Sequence, residues 1–325
     1  MMTLSDLPMI FMGTPSFSEK ILAFLLEKKC LIAAVYTNPP KAQGRGHDVT
    51  PSPVHVLALK HDIPVFTPSS LRLPQTQAQF LTLVQTHHVK VVLVVAYGFI
   101  LPKILLEAPP LGCLNVHASL LPRWRGASPI QRAIEAGDLQ TGLTLMKMTE
   151  GLDEGPILLE QQIPITPQET SETLFEKLSE MGGPLVLKGL SGLLEGTLFS
   201  KNQAQNGITY APKVLKEEGL LDFEASAVTL ERKVRAFTPW PGTFFNFKGL
   251  KIKVIEACTE ETDFQGRTGE VIHTSPFKIR CGNKTVFMPL KLQRPGGTIL
   301  NAADFLRGFP IDQGALLKDT SDASV

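Results

Sequence analysis

"VKVVLVVAYG", residues 89–98, carries an unbroken apolar run from Val91 to Val95. A strand with one wet face alternates apolar and polar side chains, whereas an uninterrupted valine and leucine run suits a parallel strand covered by helices on both faces. Upstream, "PMIFMG" (8–13), an amphipathic stretch from Phe17 to Lys28 and "LIAAVYT" (31–37) form a strand–helix–strand opening. Helical patterns at 53–61 and 75–87 flank the short "IPVFTP" and lead into residues 89–98. The alternation predicts an α/β fold with a doubly wound, mostly parallel sheet. Ligands of such sheets sit beyond the carboxyl ends of the strands, which fall near Gly13, Thr37, Ala96 and His117.

The chain has 325 residues, more than one domain usually holds, so two domains are expected. After "SETLFEKLSEMGGPLVLKGLSGLLEG" the polar "TLFSKNQAQNGITYAPKVLKEEG" reads as a linker. Beyond Arg232, short alternating strands with turn residues predict a smaller C-terminal β-barrel of the OB-like sort. The boundaries are set at 1–196, 197–216 for the linker, and 217–325. No apolar run approaches the roughly 20 residues of a membrane span, and "MMTLSDLPMIFMG" lacks the marks of a signal or transit peptide. A cytoplasmic location is therefore expected. Cys30, Cys113, Cys258 and Cys281 lie too far apart for a C-x-x-C site, so buried thiols and no metal are expected. Net charge is +1; residues 201–325 carry 17 Lys and Arg against 14 Asp and Glu, which permits a nucleic-acid partner without requiring one.

Three stretches carry chemistry. "FMGTPSF" (11–17) puts a glycine turn between strand and helix, but matches neither dinucleotide nor Walker patterns; a tight turn is the simpler reading. In "NVHASLLPRWRG" (115–126), side-chain alternation places Asn115 and His117 on one face, opposite Leu114, Val116 and Ala118. An amide donor beside an imidazole at a strand end can hold a developing oxyanion and move a proton, although a histidine satisfied within the structure is the common alternative. "GLDEGPIL" (151–158) sets Asp153 and Glu154 between glycines. A carboxylate there could orient His117, or simply sit in a solvated turn.

Together, "NVHASLLPRWRGASPIQRAI" and "TEGLDEGPIL" resemble the methionyl-tRNA formyltransferase family, whose catalytic strand reads Asn-x-His followed by Ser-Leu-Leu-Pro and whose later loop reads Gly-Leu-Asp-x-Gly. The likeness extends through "FMGTPSFSEKIL", "GRGHDVTPSPV", "VVAYGFILP", "TYAPKVLKEEG" and "RAFTPWPGTF", to about residue 245. It implies a Rossmann-like formyltransferase domain that takes formyl from 10-formyltetrahydrofolate and gives it to the α-amine of methionyl initiator tRNA. It further implies that Asn115 holds the formyl oxygen, His117 handles protons and Asp153 orients His117. Ser119, Leu120, Leu121 and Pro122 would line the folate pocket. Arg45, within a loop where His47, Asp48, Val49 and Thr50 stand in place of the basic residues common in relatives, would meet tRNA, with Lys213 and Lys216. Lys251 and Lys253 share a strand face opposite Ile252 and Val254, either facing tRNA or merely solvated. The Asn, His, Asp core alone fits equally a related formyltransferase or hydrolase with a small-molecule acceptor; the "RWRG" extension, the "GRG" loop and the appended β domain favour tRNA. A monomer is expected.

Overall fold

The computed structural model describes residues 4–43, 48–261 and 266–317. The chain divides into two compact units, one of residues 1–129, 140–164 and 175–211, the other of 130–139, 165–174 and 212–325. Residues 197–211, which the linker reading covers, are part of the first unit.

The first unit is built on a seven-stranded sheet. Its strands are β1 (Met9–Gly13), β2 (Ile32–Tyr36), β3 (Val65–Phe66), β4 (Val91–Val95), β5 (Cys113–His117), β6 (Gln140–Lys147) and β7 (Ile157–Pro164), in the spatial order β7-β6-β5-β4-β1-β2-β3. The pairs among β1 to β5 are parallel; β6 and β7 join antiparallel at one edge. This is the doubly wound, mostly parallel sheet expected from residues 89–98. Every residue of β1 and β4 is buried, which is why their apolar runs have no polar alternation.

Register aligns the strand ends. Gly13 pairs with Val95 and Val94 with Asn115, so β1, β4 and β5 finish along one edge of the sheet. The helix Ser16–Glu27 begins hard against this edge: the Ser18 hydroxyl donates to the Val95 carbonyl at 2.6 Å. A Cβ on Gly13 would lie 2.6 Å from that of Ser18, so glycine is what lets the helix approach its strand so closely. Helix Pro53–Lys60 is capped by Ser52, whose hydroxyl accepts from the His55 N–H, with proline in the first turn where no N–H is needed.

The second unit holds an antiparallel sheet of β8 (Thr243–Phe247), β9 (Leu250–Glu261), β10 (Val271–Thr274), β11 (Phe277–Cys281), β12 (Thr285–Gln293) and β13 (Ile299–Asn301). Its order is β8-β9-β12-β11-β10, with β13 also on β12. Register breaks in β9 around Glu256 bend that long strand around the core. Phe223, Phe245, Phe277, Phe287 and Phe305 fill the interior together with Leu230 and Val234 of the helix Ala227–Ala236. The smaller C-terminal β domain is thus present. The Ser226 side chain caps that helix by accepting from the Thr229 N–H at 3.2 Å. Ser226→Ala should therefore cost about 1 kcal/mol, read as a lowered urea midpoint with an unchanged slope.

Candidate functional site

Strand β5 carries the polar pair. Leu114 and Val116 are buried against one layer, while Asn115, half-buried, and His117, 6% exposed, occupy the other face. Among the described residues the Asn115 carboxamide makes no hydrogen bond, so its N–H groups are open to a ligand. Cys113 begins the same strand, but burial pushes its thiol up to about 12, so it stays neutral and is no nucleophile at physiological pH. Among the described residues no cluster of three His, Cys, Asp or Glu could hold a metal ion.

Beyond β5 the backbone turns sharply. The Thr144 hydroxyl donates to the Ser119 carbonyl at 2.7 Å and accepts from the Leu121 N–H at 3.2 Å, while the Ser119 hydroxyl donates to the Arg123 carbonyl at 2.6 Å. Ser119 and Leu121 are thereby buried, and Leu120 and Pro122 are the half-exposed members of the quartet. Trp124 adopts the left-handed region at φ 65°, which for a bulky residue costs of order 1 kcal/mol or more and persists only where the surroundings enforce it. Here the Trp124 N–H donates to the Thr209 hydroxyl at 2.9 Å, and the Trp124 carbonyl faces His117 Nε2 at 2.8 Å. A carbonyl only accepts, so Nε2 carries the hydrogen in this geometry.

The other edge of the imidazole faces Asp153. His117 Nδ1 and Asp153 Oδ2 are 3.6 Å apart, too long for a hydrogen bond but close enough for charge attraction whenever the imidazole is protonated. The same Oδ2 accepts from the Gly126 N–H at 2.8 Å. Asp153 itself sits at φ 50°. Gly126 has φ +121°, and a Cβ there would strike the Ala211 carbonyl, because Arg125–Gly126 pairs in parallel with Tyr210–Ala211. At Gly155 a Cβ would collide with the Lys147 carbonyl, so the two glycines let the loops close on one another.

Two buried residues, Arg125 and Gln203, complete the surroundings. Arg125 directs Nε and Nη2 to the Gln203 side-chain oxygen at 3.1 and 2.7 Å. Gln203, inside the stretch read as a linker, donates through Nε2 to the carbonyls of Asp153 and Gly155 at 2.7 and 2.9 Å. Nothing in "NQAQNG" signals a buried amide; only the long-range pairing does.

Of the residues expected to meet tRNA, Arg45 lies outside the described residues. Lys213 and Lys216 are exposed in the second unit. Lys251 and Lys253 are exposed on β9, with Ile252 and Val254 buried beneath, as alternation requires.

Residues 8–189 match the formyl transferase family and residues 213–310 the formyl transferase C-terminal domain. Among solved structures, the N-formyltransferase of Helicobacter canadensis, crystallised with folinic acid and dTDP-3-aminofucose, superposes with a TM-score of 0.62 at 17% identity, covering 89% of this chain and 100% of its own. HypX of Aquifex aeolicus, in complex with tetrahydrofolic acid, gives 0.59 at 17% identity over 92% of this chain and 46% of its own. At such identities these likenesses speak for the fold alone. The class is that of the formyltransferases, enzymes that move a one-carbon group.

Curated sequences narrow it. The methionyl-tRNA formyltransferase of Paramagnetospirillum magneticum is 46% identical over 95% of this chain and 99% of its own length, and that of Pseudomonas fluorescens 44% identical over 98% of each. The chain belongs to the methionyl-tRNA formyltransferase family. No helix among the described residues is long and apolar enough to cross a membrane.

Proposed function

We propose that the protein transfers the formyl group of 10-formyltetrahydrofolate to the α-amine of methionyl initiator tRNA, with Asn115, His117 and Asp153 as the reacting site. The observation that carries this reading is the convergence of an open Asn115 carboxamide, a His117 ring flanked by two acceptors and the Asp153 carboxylate at the end of β5. The amine nitrogen bonds to the formyl carbon, the bond from that carbon to the donor nitrogen breaks, the amine gives up a proton and the donor nitrogen gains one. While the carbon is tetrahedral its oxygen is negative, and the Asn115 amide supplies a donor already in place for that charge. With Nε2–H held by the Trp124 carbonyl, the Nδ1 edge and Asp153 are the side of the pair that exchanges the proton.

Leu120 and Pro122 form the outer wall of the folate site, shaped from behind by buried Ser119 and Leu121. Residues 1–196 act as the catalytic domain and 217–325 as the tRNA-binding domain. Arg45, Lys213 and Lys216 supply positive charge to phosphates. The enzyme works as a cytoplasmic monomer.

Purified protein incubated with labelled 10-formyltetrahydrofolate should formylate methionyl initiator tRNA well above a methionyl elongator control. No formylated product from folded protein with active donor would remove the proposal. Release of tetrahydrofolate from donor in the absence of tRNA, at the rate seen in its presence, would instead favour the hydrolase reading.

A further inference from the structure

Arg125 is a buried cation, 7% exposed, and a cation without a partner in that setting is costly. Its guanidinium meets the neutral carboxamide oxygen of Gln203, itself 6% exposed. With Oε1 committed to Arg125, the amide nitrogen has only one direction left. It points at the backbone carbonyls of Asp153 and Gly155, one N–H for each. A flipped amide would set oxygen against two carbonyls and nitrogen against a cation, so the surroundings select the orientation.

The consequence is a closed ring of contacts. It runs from the Arg125 side chain through Gln203 to the Asp153 backbone, along Asp153 to its carboxylate, across to the Gly126 N–H, and back to the neighbouring Arg125. Asp153 is thus held at both ends, its carbonyl by Gln203 and its Oδ2 by Gly126, while the same Oδ2 looks onto His117. The left-handed backbone of Asp153 has a low intrinsic preference, and the ring is what maintains it.

We infer that Gln203 is a positioning residue for the transfer reaction, fixing the Asp153 loop so that its carboxylate stays on His117. The inference rests on the catalytic reading of Asp153 given above. The site needs an acceptor toward Arg125 and donors toward the loop: glutamate would satisfy Arg125 but offer no donor to the loop, and lysine would repel the guanidinium. Gln203 spends its side-chain oxygen on Arg125 and both amide hydrogens on the Asp153 and Gly155 carbonyls, which leaves no polar group for either substrate, so its effect falls on turnover and not on substrate binding.

The test is steady-state formylation by Gln203→Glu, with Asp153→Asn as reference and thermal melts alongside. Gln203→Glu keeps Arg125 paired while turning the loop's donor into an acceptor. Its kcat should fall about tenfold or more, short of the ~100-fold that a 1 Å misplacement can cost, with KM for tRNA and donor within about twofold of the parent. The double variant Arg125→Met with Gln203→Met replaces the buried polar pair by apolar side chains of similar length; it should fold and show the same loss of kcat at unchanged KM. If Gln203→Glu fails to fold, the double variant decides. Either folded variant turning over within about twofold of the parent overturns the inference, as does a rise in KM at parental kcat. Failure of both to fold overturns it too, assigning Gln203 to stability alone. If Asp153→Asn itself keeps parental turnover, the catalytic reading of Asp153 is what fails; if it loses turnover and the Gln203 variants do not, the positioning inference fails by itself.

Discussion

His117→Ala should lower kcat for formylation by about 10³-fold, near 4 kcal/mol of barrier, with the fold intact. The ring is 6% exposed, hydrogen-bonded to the Trp124 carbonyl on one edge and facing the Asp153 carboxylate at 3.6 Å on the other. Removing it deletes the group to which the proposed mechanism gives the proton exchange with the attacking amine and leaves the Asp153 carboxylate with its Gly126 contact. Water entering the space can accept a proton but is not oriented by those two acceptors, so the rate does not recover. Stopped-time assays with charged initiator tRNA give kcat and KM separately. A variant that melts like the parent and retains more than about a tenth of parental kcat would exclude His117 as the proton-handling group.

Asn115→Ala should lower kcat by about 10²–10³-fold, equivalent to about 3–4 kcal/mol, because losing one preorganised donor to a developing oxyanion typically costs that much. In the proposed mechanism the donor acts where negative charge builds in the transition state, so kcat and kcat/KM should fall together while KM changes little. Asn115→Asp is the sharper companion. It keeps the shape but sets a negative charge where the oxyanion forms, so it should be at least as impaired as the alanine variant. Stability should move little in either case, since the carboxamide makes no hydrogen bond among the described residues. Near-parental kcat for Asn115→Asp would remove the oxyanion role.

The parts of the fold readable from residue patterns were those set by burial within a few neighbouring residues. The Val91–Val95 run is apolar throughout because β4 lies between β1 and β5 at the centre of the sheet. Asn115 and His117 could be paired because a strand alternates its faces every two residues, whatever its tertiary neighbours. The Lys251 and Lys253 face was legible for the same reason. Asp153 was legible only through the family pattern, since a loop acid between glycines is also an ordinary turn.

Residues 197–211 show where such reading stops. Their Asn, Gln and Gly content resembles a linker, yet Gln203 is buried against Arg125, and Tyr210–Ala211 pairs with Arg125–Gly126. Gln203 and Arg125 stand 78 positions apart, and no local periodicity encodes a hydrogen bond over that separation. The left-handed Trp124 was equally hidden, because its conformation comes from Thr209 and His117 holding its two backbone groups.

By itself the sequence determined the class of sheet, the face on which Asn115 and His117 stand and the family to which the chain belongs, because hydrophobic period and contiguous motifs are local properties. Only the tertiary structure decided which edge of the His117 ring meets Trp124 and which meets Asp153, and that Gln203 ties the Asp153 loop to Arg125. Those choices depend on donors and acceptors brought together from distant segments, whose directions exist only once the chain has packed.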